Sequence, residues 1–308
     1  MSMIASGHLD VGDGHSLYWE EWGNPAGVPV VCLHGGPGAA FNDSHKALFD
    51  PAVHRVLFHD QRGCGRSTPL ASLEHNTTAD LVADVDRLMT HRGFESAHVA
   101  GGSWGSTLSL FFALAHPARV RSLLLWAVWL TRREENDWVA SGGPRRHFPR
   151  EWERFISLVP ESSRGSGQAI TSHYADRIAG HDLRHAREWT LWELSLCSLD
   201  YDPERLEREV AADPNTLASA AIETHFLRHG CFVPENHILD SIAAIRDIPC
   251  TVVQGRFDMC TPPATAYDLA AAYGPALTLQ VVNAGHLRTE PALRAALTAA
   301  ALGLDGVG

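Results

Sequence analysis

The sequence is short of positive charge. Its 25 lysines and arginines face 36 aspartates and glutamates, which leaves a formal net charge of −11. Nucleic acid is held by a basic surface that neutralises phosphates, so that class of partner is excluded. The acidity would suit a positively charged substrate, although overall charge by itself selects none. No apolar run reaches the roughly 18 residues that a membrane-crossing helix needs. The strongest, Leu123 to Leu130, has the length of a buried strand. Met1 to Asp10 lacks the basic patch and apolar run of a secretion signal. The cysteines, Cys32, Cys64, Cys197, Cys231, Cys250 and Cys260, follow no metal-ligand spacing, and a chain of 308 residues needs no disulfide staples. These absences lead to the expectation of a cytoplasmic chain with free thiols, no metal, and neither membrane nor nucleic acid as a partner.

What the sequence does have is alternation. Val28 to Leu33 is an apolar run of strand length that ends in His34-Gly35-Gly36-Pro37-Gly38. Arg55 to His59 is a second strand before another glycine-rich turn. From Thr77 to His91, apolar residues at 81, 82, 85, 88 and 89 recur at helical spacing, and Thr77 with Asp80 makes a capping box. Ala97 to Ala100, Val120 to Leu125, Pro249 to Gln254 and Leu277 to Val282 read as strands. Thr107 to Ala115, Pro263 to Tyr273 and Glu290 to Leu302 read as helices. Such alternation folds into a mostly parallel sheet with right-handed crossovers. From about Trp129 to Pro234 it lapses, and only helical stretches rich in Trp, Arg and Glu remain. The expected architecture is an α/β domain, residues 1–128 and 236–308, interrupted by a helical cap, residues 129–235.

The turn Gly101-Gly102-Ser103-Trp104-Gly105 lies between a predicted strand and a predicted helix. A sharp turn of this kind needs small neighbours and presents its middle side chain above the sheet at a helix N-terminus. The plain alternative is a tight turn whose serine only caps the helix. A serine hydroxyl is a poor nucleophile until a base takes its proton. The base and the acid that orients it must come from later strand ends on the same edge of the sheet. Asp258 follows the strand at 251–254, and His286 follows the strand at 277–282, in the chain order serine, acid, histidine. With 18 histidines present, His286 stands out only by that position. Asp258 alone could equally be a capping aspartate. The backbone N–H groups of Trp104 and Gly36 are the expected oxyanion-hole donors.

Five segments together resemble one family: His34-Gly35-Gly36-Pro37-Gly38, Asp60-Gln61-Arg62-Gly63-Cys64-Gly65-Arg66-Ser67, Gly101-Gly102-Ser103-Trp104-Gly105-Ser106-Thr107-Leu108, Gly255-Arg256-Phe257-Asp258 and Ala284-Gly285-His286. They are similar to the prolyl aminopeptidases, or proline iminopeptidases, serine peptidases of the α/β-hydrolase fold. The likeness runs from about Tyr18 to Leu302. It implies an α/β-hydrolase fold with an inserted helical cap. It also implies release of an N-terminal proline, or a similar small residue, from short peptides or aminoacyl amides through an acyl-enzyme, without any cofactor. In that family acidic cap residues hold the free amine of the substrate. The matching positions are Glu193, in Trp189-Thr190-Leu191-Trp192-Glu193, and Glu223, in Ala221-Ile222-Glu223-Thr224-His225-Phe226. Glu193 interrupts an almost wholly apolar run, where a carboxylate is costly to bury without a polar cavity or a cation. A salt bridge to Arg187 is the plain alternative for Glu193, and an exposed helix position for Glu223.

The chain departs from the family pattern in the cap. Trp126-Ala127-Val128-Trp129 stands where an arginine and a glycine are usual, and Val139 to Pro144 replaces a Tyr-Gln-Glu-Gly-Ala-like stretch. Trp129 is a candidate apolar wall for a pyrrolidine ring, or a core residue. Two other readings follow from the departures. One keeps the triad and gives it an ester, a lactone or another non-peptide amide; the other is a binding protein that reuses the fold.

Overall fold

The structure, a computed structural model, describes residues 3–306. Residues 1–2 and 307–308, the outer ends of the two expected core segments, lie outside the described residues. Eight strands form one sheet: β1 (Met3–Gly12), β2 (His15–Gly23), β3 (Val28–Leu33), β4 (His54–His59), β5 (Ala97–Ser103), β6 (Val120–Val128), β7 (Cys250–Gly255) and β8 (Leu277–Val282). Their spatial order is β1-β2-β4-β3-β5-β6-β7-β8. β1 and β2 pair antiparallel, β2 runs antiparallel to β4, and every later pairing is parallel. After β4 the chain crosses back over β3 to begin β5, so the strand order reverses between β3 and β5. Crevices at such switch points, beyond the carboxyl ends of the strands, are where α/β folds bind ligands.

The helices among the described residues are α1 (Asp43–Lys46), α2 (Thr78–His91), α3 (Trp104–Ala115), α4 (Arg133–Ala140), α5 (Pro149–Ser157), α6 (Gly167–Ala179), α7 (Leu183–Ser195), α8 (Pro203–Ala212), α9 (Thr216–Arg228), α10 (His237–Ser241), α11 (Pro263–Tyr273) and α12 (Pro291–Leu302). Strands β3 to β7 are buried on both faces, and their side chains divide with the period of two that a pleated strand imposes. Val31, Leu33, Val99, Leu123 and Leu125 pack on the side of α2, α3 and α11, whereas Val30, Cys32, Ala100, Leu124 and Trp126 pack on the side of α12. α2 starts where its capping box predicts, with the Thr77 hydroxyl accepting from the Asp80 amide and the Asp80 carboxylate accepting from the Thr77 amide.

Between β6 and β7 the described chain is helical, α4 to α10. α5, α6 and α7 share a separate core in which Phe155 stacks on Tyr174 with ring centroids 4.5 Å apart, flanked by Trp189 and Trp192. No described helix is long and apolar enough to cross a membrane.

Sequence periodicity does not announce β1 and β2. Strand β2 carries Glu20 and Glu21 in buried positions, which breaks any apolar pattern. Both acids are compensated from elsewhere in the chain: Glu21 by Arg55 and Arg92, at 2.6 and 2.8 Å, and Glu20 by Lys46 and Arg66. The signal that was available is the turn Gly12-Asp13-Gly14, whose three residues all have positive φ.

The loop after β4 is anchored to α2 by a buried ion pair. Arg62 donates from Nε and Nη2 to the two carboxylate oxygens of Asp84 at 2.7 and 2.9 Å, and from Nη1 to the His75 carbonyl. Truncating one partner strands the other charge in the interior. Asp84→Ala is expected to lower the unfolding free energy by about 3–5 kcal/mol, measured as a fall in the urea midpoint. A loss under about 1 kcal/mol would mean that the loop opens and hydrates Arg62.

Candidate active site

β5 ends at Ser103 and α3 begins at Trp104 with no residue between them. Ser103 takes φ 55° and ψ −129°, a conformation that costs a non-glycine residue about 1–3 kcal/mol and holds its side chain off the strand axis. The glycines on either side are there for closeness. A Cβ on Gly105 would lie 2.2 Å from the Leu33 carbonyl oxygen, and one on Gly101 2.2 Å from that of Gly105. The nucleophile turn is thus seated directly against the end of β3.

Asp258 and His286 follow β7 and β8 and meet over the same edge. The imidazole Nδ1 lies 2.9 and 3.0 Å from the two carboxylate oxygens of Asp258. Asp258 is fully enclosed and also accepts from the Cys260 and Thr261 amides, the Thr261 hydroxyl and Gln254 Nε2. So many donors hold the carboxylate in one place, facing the His286 imidazole. Burial pushes the imidazole pKa down, but the charge of Asp258 and its hydrogen bond outweigh that and hold it above the ordinary value. Ser103 and His286 line one cavity, with no direct hydrogen bond between their side chains; such bonds often tighten only around substrate.

Gly36 and Ser103 border both this cavity and a second, mostly apolar one walled by Trp129, Trp189 and Trp192. Gly36 has φ 113°, open to glycine and strained for other residues. The Trp104 amide is the first of α3 and has no partner within the helix. Trp129 is both wall and core, because its ring also packs on Trp104 at 5.9 Å.

Glu193 on α7 and Glu223 on α9 reach both cavities. Their carboxyl groups face one another in the interior, and Glu223 also accepts from Trp189 Nε1 at 2.9 Å. Burial raises both pKa values. Glu223 rises further because it faces the charge of Glu193. The ion pair between Glu193 and Arg187 is not formed among the described residues, and Glu223 is buried. The structure therefore brings together all eight residues singled out from the sequence.

Sequence reasoning missed the residues that hold these groups in place. Gln61 joins the turns after β3 and β5: its Oε1 accepts from Trp104 Nε1 at 2.8 Å and its Nε2 donates to the His34 carbonyl at 3.0 Å. Gln254 donates to Asp258 and accepts from the Val128 amide. Glu290 accepts from the Gly285 amide and, in the helical segment, from the Leu199 amide. Each sits within or beside a quoted motif, which was the only signal available.

A model of the alpha/beta hydrolase fold family matches residues 28–288. Among solved structures, an enol-lactonase from Burkholderia xenovorans LB400 superposes with a TM-score of 0.69 at 17% identity, covering 97% of this chain and all of that one. The haloalkane dehalogenase DbeA from Bradyrhizobium elkani gives 0.67 at 18%, covering 98% of each chain. At such identities the likeness is one of fold. Closer in sequence are a proline iminopeptidase of Arabidopsis thaliana, 43% identical over 96% of this chain and 78% of its own length, and one of Neisseria gonorrhoeae, 41% identical over 96% and 94%. With a strained serine between β5 and α3, an Asp258–His286 pair beyond β7 and β8, and relatives at 41–43% identity over 96% of this chain, the chain belongs to the proline iminopeptidases of the α/β-hydrolase fold.

Proposed function

We propose that this chain is a serine aminopeptidase that releases an N-terminal proline, or a similar small residue, from short peptides or aminoacyl amides. The observation that carries this reading is the pair of buried carboxyl groups, Glu193 and Glu223, beside Ser103. Two carboxyl groups facing one another in a mostly apolar enclosure favour a cation between them, and the ammonium of an N-terminal residue supplies one. Its ring then lies among Trp129, Trp189 and Trp192, and its carbonyl faces Ser103. Cleavage stops after one residue because the amine is already held. The helical segment, residues 129–235, acts as the cap over a core made of residues 1–128 and 236–308.

The reaction runs in two halves. Ser103 Oγ attacks the carbonyl carbon as His286 Nε2 takes the hydroxyl proton, and the Gly36 and Trp104 amides hold the oxyanion. The C–N bond then breaks, and the imidazolium returns its proton to the leaving amine. Water attacks the resulting ester, again giving a proton to His286, and Ser103 recovers it as the ester bond breaks. Asp258 keeps Nδ1 protonated and stabilises the imidazolium. An ester, lactone or other non-peptide substrate is not favoured, because the relatives at 40–43% identity carry the iminopeptidase name and the enol-lactonase shares only the fold.

Ser103→Ala is expected to fold as the wild type and to lose roughly three to six orders of magnitude in kcat on prolyl-2-naphthylamide; a tenth of wild-type turnover would remove Ser103 from the role. Glu193→Gln is expected to cut kcat/KM on the same substrate roughly ten- to hundred-fold while sparing a short acyl ester without an amine. Faster wild-type hydrolysis of N-blocked than of free prolyl amides would end the amine-recognition reading. The base must be neutral to act, so kcat/KM should rise with pH through a midpoint above the ordinary histidine value of about 6.5. A midpoint below that value in the pH profile would contradict the field of Asp258 described above.

A further inference from the structure

The larger cavity holds a positive charge that the reaction leaves unused. Arg288 lies two residues beyond His286, lines the same cavity and sits against the bend at Asn42. In a chain of net charge −11, most of the other buried or half-buried guanidinium groups have a carboxylate: Arg62 has Asp84, Arg66 has Asp60, Arg132 has Glu135. Arg288 makes no ion pair among the described residues. Its Nη2 donates to three neutral acceptors, Asn42 Oδ1, Ser44 Oγ and His45 Nδ1, at 3.0, 2.6 and 3.0 Å. Its Nε is buried without any partner. His45 is itself held neutral, its pKa pushed down to about 2 by burial and by the guanidinium. Burial also lowers Arg288, to about 10, so it stays charged at neutral pH.

A guanidinium fixed by neutral acceptors, without a carboxylate and lining the cavity that holds Ser103, is a site for an anion that arrives with the ligand. The two cavities meet at Ser103. Glu193 and Glu223 line both, whereas Arg288 lines only the larger, where the exposed Asp213 is the one further acid. A leaving portion that extends from Ser103 into the larger cavity shares that space with Arg288.

We propose that Arg288 binds the free C-terminal carboxylate of a short peptide, so that this chain selects small peptides by both ends. This rests on the aminopeptidase reading for the position of the amine and deepens it by naming the substrate: a peptide of a few residues with an ionised α-carboxylate. Arg288 is a specificity-determining residue here and takes no part in bond making or breaking.

The test compares Pro-Gly, Pro-Gly-Gly and Pro-Gly-Gly-Gly with their C-terminal amides. The wild type is expected to favour the acid over the amide by roughly ten-fold or more in kcat/KM at one of these lengths, the gain of a charge-assisted contact. Arg288→Gln should bring that ratio to about one while changing turnover of prolyl-2-naphthylamide, which has no carboxylate, less than about three-fold; Arg288→Lys should keep part of the preference. Calorimetry with Ser103→Ala should show the same preference in binding without turnover. Equal use of acid and amide by the wild type at every length, or an undiminished preference in Arg288→Gln, overturns the proposal. If the wild type cleaves neither prolyl-2-naphthylamide nor any of these peptides, the aminopeptidase reading is what fails, and the calorimetric comparison decides the anion site alone.

Discussion

The site depends on one close approach, that of the turn after β5 to the end of β3. The Gly105 Cα lies so near the Leu33 carbonyl that no side chain fits between them. That contact places the amide after Ser103 beside the amides that follow β3, which is the arrangement an oxyanion needs. Gln61, from the loop after β4, then bridges the two turns with hydrogen bonds of 2.8 and 3.0 Å. Three strand ends that are distant in sequence are thereby locked into one rigid floor. The strain at Ser103 is tolerated because the sheet and α3 hold both of its sides.

Around this floor the charges are laid out by what each can find in the interior. Asp258 is surrounded by donors that hold it against the imidazole. Glu193 and Glu223 find mainly one another and a tryptophan N–H, so burial raises both pKa values and a cation between them is favoured. Arg288 finds only neutral acceptors. A zwitterionic ligand lying across Ser103 would meet each of these needs, which links the amine-end specificity to the carboxylate end through simple electrostatics.

The helical segment is joined to the chemistry and does more than cover it. The His286 amide donates to the Cys197 carbonyl at the end of α7 at 2.9 Å, and Glu290 ties the Gly285 amide to Leu199. The histidine loop is therefore held partly by the same helices that carry Glu193. Movement of that segment would shift amine recognition and the base together.

The strands and helices that follow strict apolar periodicity were legible in the sequence, because burying a β-strand on both faces or a helix on one demands that pattern. Their ends were less so: β5 runs three residues beyond the apolar run that marks it, through Gly101, Gly102 and Ser103, since ladder hydrogen bonds continue where side chains give no signal. β1 and β2 were illegible because buried Glu20 and Glu21 are neutralised by cations from other elements. That Ser103, Asp258 and His286 come together could be expected from local turns and chain order alone, as chain order at the carboxyl edge of a parallel sheet is itself a spatial statement. The sequence by itself determined which groups have the chemistry and which strand ends carry them. Only the tertiary structure decided that Glu193 faces Glu223 and not Arg187, that Gln61 clasps the two turns, and that Arg288 lacks a carboxylate. Those outcomes depend on which side chains from distant segments share one desolvated space, a property of packing that spacing along a chain does not encode.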